Sequence, residues 1–349
     1  MDSMGVSVEL KDIDRRIWQE ELEEFVPRRL FDVHTHIYRW EFNTDPNKDT
    51  GPWRDIAKTF PESNWDMLEQ CDRLIMPGRE VHRLSFGFPF SPSCDFEASN
   101  NFVAGQVRDD PKSAALMLVH PSMTAGYLDE QVEKKGFLGF KPYRFFSLTG
   151  DADQCRITDF LPEYQIEVAH RRGLLIMLHL SKRDAIADRD NIDDLIRLTN
   201  GYPNARWILA HCGRSWSSWP IEKAADNLQK LHNVWYETSS VCESDAFCAL
   251  ISAVGIDRVM YGSDDIPVGV IRGKYITFGY AWAYLSQTNH SMNLSHCNPQ
   301  MTFTRYEQLR AMRRAAIKLG LSQKQCQDLF FNTAACLIGS VRSSSQKMF

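Results

Sequence analysis

The sequence predicts an α/β fold, a closed (β/α)8 barrel, and three observations predict it. Short apolar runs alternate along the chain with longer segments of helical period, the pattern of parallel βα units. The runs are apolar throughout, as in Leu174-Leu175-Ile176-Met177-Leu178, so these strands are expected to be buried on both faces. There are eight of them, and several end in, or lead directly into, a histidine, lysine or aspartate. A barrel of this class carries its functional groups at the C-terminal ends of its strands.

Taken in order, a charged amphipathic segment at Lys11–Phe25 precedes the first strand, Arg29–Val33. Seven further strands are expected at His82–Gly87, Ala114–Val119, Phe137–Lys141, Leu174–His179, Arg206–His211, Asn233–Glu237 and Arg258–Gly262. Helices are expected between them at Trp65–Leu74, Glu97–Arg108, Tyr127–Lys135, Asp159–Arg171, Asn191–Asn200, Ile221–Leu231 and Asp245–Val254. Lys135-Gly136, Arg172-Gly173 and Asn200-Gly201 supply residues suited to a left-handed helix C-terminus. Two segments depart from the repeat. Tyr38–Ser63 is rich in Asp, Pro, Trp and Asn and long enough to act as a lid, and Arg272–Met301, with Tyr280, Trp282 and Tyr284, is placed to overhang the barrel mouth. Helices Tyr306–Leu319 and Gln323–Ile338 close the chain. We expect one domain over residues 1–349, with 1–27 as an N-terminal extension and 302–340 as C-terminal helices.

Composition narrows the function. With 43% hydrophobic and 24% charged residues the chain is an ordinary globular protein. A net charge of -5 gives no electrostatic footprint for nucleic acid. No Gly-x-Gly-x-x-Gly or Gly-x-x-x-x-Gly-Lys-Ser/Thr loop follows a strand, which argues against a nucleotide-binding open sheet. Nine cysteines without a Cys-x-x-Cys suit reduced thiols in the cytoplasm. Neither a signal peptide nor an apolar stretch of about 20 residues is expected.

The chemistry is concentrated at the strand ends. His34 and His36 share one face of the first strand, because alternate strand residues point the same way, so both imidazoles can reach one point. Alone, a His-x-His pair is a common accident. The fourth strand ends at Lys141, the fifth at His179, the sixth at His211, and the eighth leads into Asp264. His179 and His211 could each be a satisfied core residue and Asp264 a helix cap, but their joint placement favours a metal site. His34, His36 and His179 could hold a divalent ion with Asp264 as fourth ligand or as partner to bound water. Such an ion lowers the pKa of water toward about 7, and Asp264 could then act as general base and acid. Imidazole and carboxylate suit Zn²⁺, with Mn²⁺ also compatible.

This constellation resembles the amidohydrolase superfamily, on Phe31-Asp32-Val33-His34-Thr35-His36, Leu209-Ala210-His211-Cys212-Gly213, Tyr261-Gly262-Ser263-Asp264 and Asn332-Thr333-Ala334-Ala335. The last two segments look most like the branch that includes aminocarboxymuconate semialdehyde decarboxylase. The resemblance implies a metal-dependent hydrolase acting on an amide, lactone or related bond. A non-oxidative decarboxylase of an aromatic or enoic acid is the alternative it allows. It implies either a second-metal or a substrate-polarising role for His211. Lys141 would be carbamylated between two metals in binuclear members, whereas one metal serves the decarboxylase-like branch, and one is favoured here. Lys141, Arg144 and Arg214 are further candidates to hold a substrate carboxylate, and Tyr38 is a candidate to bind the substrate through its ring. The expected partner is a small molecule carrying a carboxylate, with a homodimer open, and neither nucleic acid nor membrane is expected.

Overall fold

In the structure, a computed structural model, residues 8–47, 59–90, 93–287 and 294–346 are described. Eight parallel strands form the centre: β1 Arg29–His36, β2 Glu80–Phe86, β3 Ala114–Val119 (interrupted at Leu116), β4 Gly139–Pro142, β5 Leu175–Leu178, β6 Arg206–Leu209, β7 Val234–Glu237 and β8 Val259–Met260. Each pairs with its sequence neighbour. The first half of β3 pairs with β2 and its second half with β4, so the short break turns the sheet without opening it. β8 returns to β1 through the Val33 N–H donating to the Tyr261 carbonyl (3.0 Å) and the Asp264 N–H to the His34 carbonyl (2.9 Å), and the barrel closes. All eight strands match the expected runs, shifted at their ends. The residues of β5 are buried without alternation, as a sheet covered on both faces requires.

The covering helices follow from local signals. α1 is Asp12–Ile17, continuing through a wider turn at Trp18–Leu22. In α2, Trp65–Ile75, the Asn64 side chain caps the Met67 N–H, and Trp65, Leu68, Cys71, Asp72 and Ile75 make the buried stripe. α3 is Phe96–Gln106, and α4, Ala125–Lys135, ends on Gly136 with φ 71°. The helix expected over Asp159–Arg171 is two: Ile157–Phe160, then α5 Glu163–Arg172, which ends on Gly173 with φ 63°. Pro162 causes the break, since its ring disfavours helical geometry at Leu161 and it offers no N–H. α6, Arg189–Gly201, runs through Gly201 to a cap at Tyr202, so that glycine is not the left-handed terminus expected of it. α7 is Ser218–Leu228, α8 is Ser244–Val254 and α9 is Thr304–Leu319, and a helical run from Gln323 to Gln346 ends the described chain.

The segment after β8 forms an antiparallel hairpin, β9 Gly273–Phe278 and β10 Ala281–Ser286, turning at Gly279 with φ 59°. The expected lid begins and ends in a two-residue ribbon, Tyr38–Arg39 against Glu62–Ser63, while residues 48–58 lie outside the described residues. Trp18 stacks on Tyr306 of α9 at 6.1 Å, joining the N-terminal segment to the C-terminal helices. All nine cysteines are free, and among the described residues no helix is long and apolar enough to cross a membrane.

Candidate metal centre

The C-terminal ends of β1, β5, β6 and β8 bring His34, His36, His179, His211 and Asp264 to the wall of one cavity. In each of the four rings Nδ1 faces a protein acceptor. The acceptors are Glu237 Oε1 for His34 (2.9 Å), the Gly87 carbonyl for His36 (3.4 Å), the Leu180 carbonyl for His179 (3.2 Å) and the Ser239 carbonyl for His211 (3.1 Å). An Nδ1 that donates leaves the lone pair on Nε2, which is the tautomer a metal ligand needs. Burial, with Lys141 adding to it, holds the His34 imidazole well below its ordinary pKa. Burial likewise lowers His36 and, strongly, His179, so these three rings are neutral at pH 7.

His34 Nε2 lies 3.4 Å and His36 Nε2 3.2 Å from Asp264 Oδ1. Ligands about 2.0–2.1 Å from a tetrahedral ion stand about 3.3 Å apart, so these two separations match two edges of such a site. The other Asp264 oxygen accepts the Ser240 hydroxyl at 2.7 Å. Burial alone would raise the Asp264 carboxyl, but the His34, His36 and His211 rings, as they take up protons on acidification, outweigh it and hold the group below its ordinary value, so Asp264 is ionised at pH 7. His179 lines the same cavity with its ring 5.2 Å from that of His211, outside the tight set formed by His34, His36 and Asp264.

Glu237, the last residue of β7, is the partner the sequence reading passed over. It forms a second tight set with His34 and His211. Its Oε1 accepts from His34 Nδ1, the His211 N–H (2.7 Å) and the Ser239 hydroxyl (2.9 Å), and its Oε2 from the Ser239 N–H (2.6 Å). The signal was present: an acid ending the apolar run Val234-Trp235-Tyr236. Asp32 serves the other side of β1, accepting the His34 and Ser263 N–H groups at 3.1 and 2.9 Å.

The loops that carry these groups are strained. Every non-glycine residue with positive φ among the described residues follows β5, β6, β7 or β8, namely Lys182, Ala185, His211, Cys212, Arg214, Ser240 and Asp264. Such backbone persists only where its surroundings over-determine it, as at functional sites.

The cavity encloses about 670 Å³ including its open mouth. Arg144 and Arg214 line it together with Phe88, Tyr143, Phe145, Trp216, Tyr275 and Trp282. Arg144 donates to the Ala152 carbonyl (2.8 Å) and pairs with Asp153. Arg214 donates to the Lys182 carbonyl and makes no ion pair among the described residues, and burial, with Arg144 adding to it, pushes it down to about 10. Lys141 lies fully buried beside this wall without a hydrogen-bond partner for Nζ, 4.5 Å from the Phe86 ring centre and 4.9 Å from that of Tyr143. Burial pushes its amine down to about 7 against the pull of Glu237 and Asp264. Tyr38, expected to hold substrate, does not line the cavity. Its hydroxyl donates to the Phe60 carbonyl at 2.8 Å, because the ribbon after β1 turns it into an aromatic cluster with Phe42 and Phe90. Cys212 is fully buried, and burial, with Glu237 beside it, raises its thiol well above the ordinary value, which leaves it inert.

The model of the family described as Amidohydrolase matches residues 31–339. The chain belongs to the amidohydrolase family. The fold agrees with solved members. An amidohydrolase from Burkholderia multivorans with bound HEPES is 13% identical over 89% of this chain and 99% of its own, with a TM-score of 0.59. A 4-oxalomesaconate hydratase from Rhodopseudomonas palustris is 14% identical over 91% and 98%, at 0.55. A dihydroxybenzoic acid decarboxylase from Polaromonas, holding manganese and 2-nitroresorcinol, is 13% identical over 90% and 97%, also at 0.55. No curated protein matches. These likenesses are of fold, and three different chemistries share it, so the reaction must be argued from the site.

Proposed function

We propose that this member of the family is a hydrolase of small carboxylate-bearing substrates that uses one divalent ion, Zn²⁺ or Mn²⁺, held by His34, His36, His179 and Asp264. The observation that carries this reading is that Nδ1 of all four rings lies against a protein oxygen, an arrangement that turns Nε2 to the cavity wall and favours the tautomer a metal ligand needs. An ion held there by these residues would supply Lewis acidity at the scissile group and would lower the pKa of water toward about 7. Asp264, ionised and fixed by Ser240, takes the proton of the attacking water and delivers it to the leaving group. His211 faces the cavity with Nε2 and orients the scissile carbonyl. Arg144 and Arg214 receive the substrate carboxylate, for which a guanidinium fork is matched. A single ion is favoured because Glu237 is already engaged by four donors, three of them on Oε1, and because Lys141 is buried with no hydrogen-bond partner for Nζ. Free thiols suit a cytoplasmic enzyme.

A second reading, decarboxylation in the branch that includes aminocarboxymuconate semialdehyde decarboxylase, is favoured by one observation. Phe88, Tyr143, Phe145 and Trp216 surround the cavity with aromatic rings, and an apolar wall promotes loss of a carboxylate as carbon dioxide. Metal analysis of purified protein tests both. We expect one equivalent of Zn²⁺ or Mn²⁺ and a fall in Tm on chelation, since an ion at a hundred times its Kd contributes about 2.7 kcal/mol. A metal-free protein whose melting ignores chelators would overturn both readings. Carbon dioxide release from aromatic or enoic acids would select the second.

A further inference from the structure

The hairpin β9–β10 is held at its roots by a carboxylate from the opposite end of the sequence. The residues entering and leaving this excursion run side by side, with the Gly273 N–H donating to the Thr302 carbonyl (3.1 Å) and the Thr304 N–H to the Ile271 carbonyl (2.8 Å). Asp14 of α1, fully buried, grips both roots. The Arg272 guanidinium donates to its Oδ1 at 2.9 Å and Oδ2 at 2.6 Å, and the Thr302 hydroxyl donates to Oδ1 at 2.7 Å. Arg272 is completed by the Met301 (3.0 Å) and Glu9 (2.6 Å) carbonyls. At the far end Phe278 is 58% and Tyr280 82% exposed, and the Tyr280 ring meets that of Trp219 edge-on at 5.0 Å. The roots set where the hairpin leaves the barrel, and Lys274 against Glu307 (3.9 Å) and the Tyr284 hydroxyl against Thr304 (2.8 Å) add contacts along its length. What the hairpin delivers is a wall of the cavity. Tyr275 and Trp282 stack on Trp216 at 5.2 and 4.2 Å, and Trp216 stacks on His211 at 5.7 Å.

We propose that Asp14 is a positioning residue for this site: by clamping both roots of the hairpin it sets the aromatic wall of Tyr275 and Trp282 against Trp216 beside His211. That the wall serves catalysis rests on the function proposed above; the clamp itself does not. A buried ion pair adds little net stability over an apolar pair of the same shape, but it discriminates strongly against any arrangement that separates its partners. Burial would raise the Asp14 carboxyl, and the bonds from Arg272 and Thr302 outweigh it, so the clamp is charged at neutral pH.

The test uses the full chain without substrate. Hydrogen exchange is followed over residues 273–286 and 206–209, together with the far-ultraviolet exciton couplet of the Trp216–Trp282 stack, which Trp282→Phe identifies by abolishing it. Asp14→Asn is expected to speed exchange in the hairpin about tenfold or more and to weaken the couplet, with β6 exchange and bound metal unchanged. Thr302→Val is expected to show the same pattern more weakly, and it decides the matter if Asp14→Asn does not accumulate as folded protein. Unchanged hairpin exchange in a folded variant would overturn the clamp, and so would an equal rise in β6, which marks a general loss of stability. A wild-type protein without metal or turnover, whose hairpin is nonetheless released by Asp14→Asn, would sink the catalytic reading and leave the clamp standing.

Discussion

What a histidine can do here is decided by the atom behind it. His34 presents Nε2 to the cavity because Nδ1 is bound to Glu237, and Glu237 is itself fixed by His211 and Ser239. Glu237→Gln keeps the shape but places an amide N–H₂ where an acceptor stood, so one of these bonds must fail. We expect a 10- to 100-fold loss of metal affinity, on the order seen when outer-shell partners of ligands are replaced, measured by competition with a chelating dye. Unchanged affinity would mean that His34 is not held as a ligand by this carboxylate. At this scale the sequence was legible wherever a ligand-type residue ended a strand: His34, His36, His179, His211 and Asp264 all reach one cavity. Two residues show where it was not. Glu237 ends a strand equally plainly, but its role depends on β1 and β6 lying beside β7 in space. Tyr38 continues the alternation of His34 and His36, yet the strand is interrupted at Ile37 and the ribbon that follows directs it to Phe60.

Among the elements, the strands were legible from unbroken apolar runs and the helix ends from glycines such as Gly136 and Gly173, because both signals are local. The hairpin was legible only as an excursion, although Gly279-Tyr280 between two apolar runs is a hairpin turn in its own right. Glycines also mark where elements approach closely, which no local pattern reveals. A Cβ on Gly139 would lie 2.1 Å from the Leu175 carbonyl oxygen, so β4 and β5 can pair as closely as they do only without it. Gly139→Ala is expected to destabilise the protein by about 3 kcal/mol, the upper end of the usual cost of overpacking, and to displace Lys141 two residues on. Gly126→Ala is the control: that position is in α4 with nothing within 4 Å, and alanine there is expected to add about 0.5 kcal/mol. Urea unfolding of both variants checks the pair, and similar effects would refute the steric account.

For the whole molecule, the decisive join is between the first and last strands, since both carry the site. Hydrogen bonds from Val33 and Asp264 make it, and a buried charge network lies under it. Arg305 of α9 pairs with Asp72 of α2 and with Asp265 after β8, Arg83 of β2 also pairs with Asp72, and Asp32 of β1 lies within the field of Arg305. None of this was legible, because the partners stand far apart in sequence and a lone buried arginine in a helix has no periodic signal. Removing Arg305 leaves buried carboxylates uncompensated, so Arg305→Met is expected to cost about 3–5 kcal/mol. The cost must depend on pH, and the sign follows from Asp32. Burial raises its carboxyl from the ordinary 3.8 to about 6, while Arg305 opposes that rise. Between these values the native state binds more protons than the unfolded chain, so this group's contribution to stability falls as pH increases. Without Arg305 the native carboxyl rises further and the fall extends above pH 6. The deficit of Arg305→Met relative to the wild type should therefore grow between pH 5 and pH 8. Urea unfolding at the two pH values measures it, and an equal deficit at both would show that Arg305 acts through packing rather than charge.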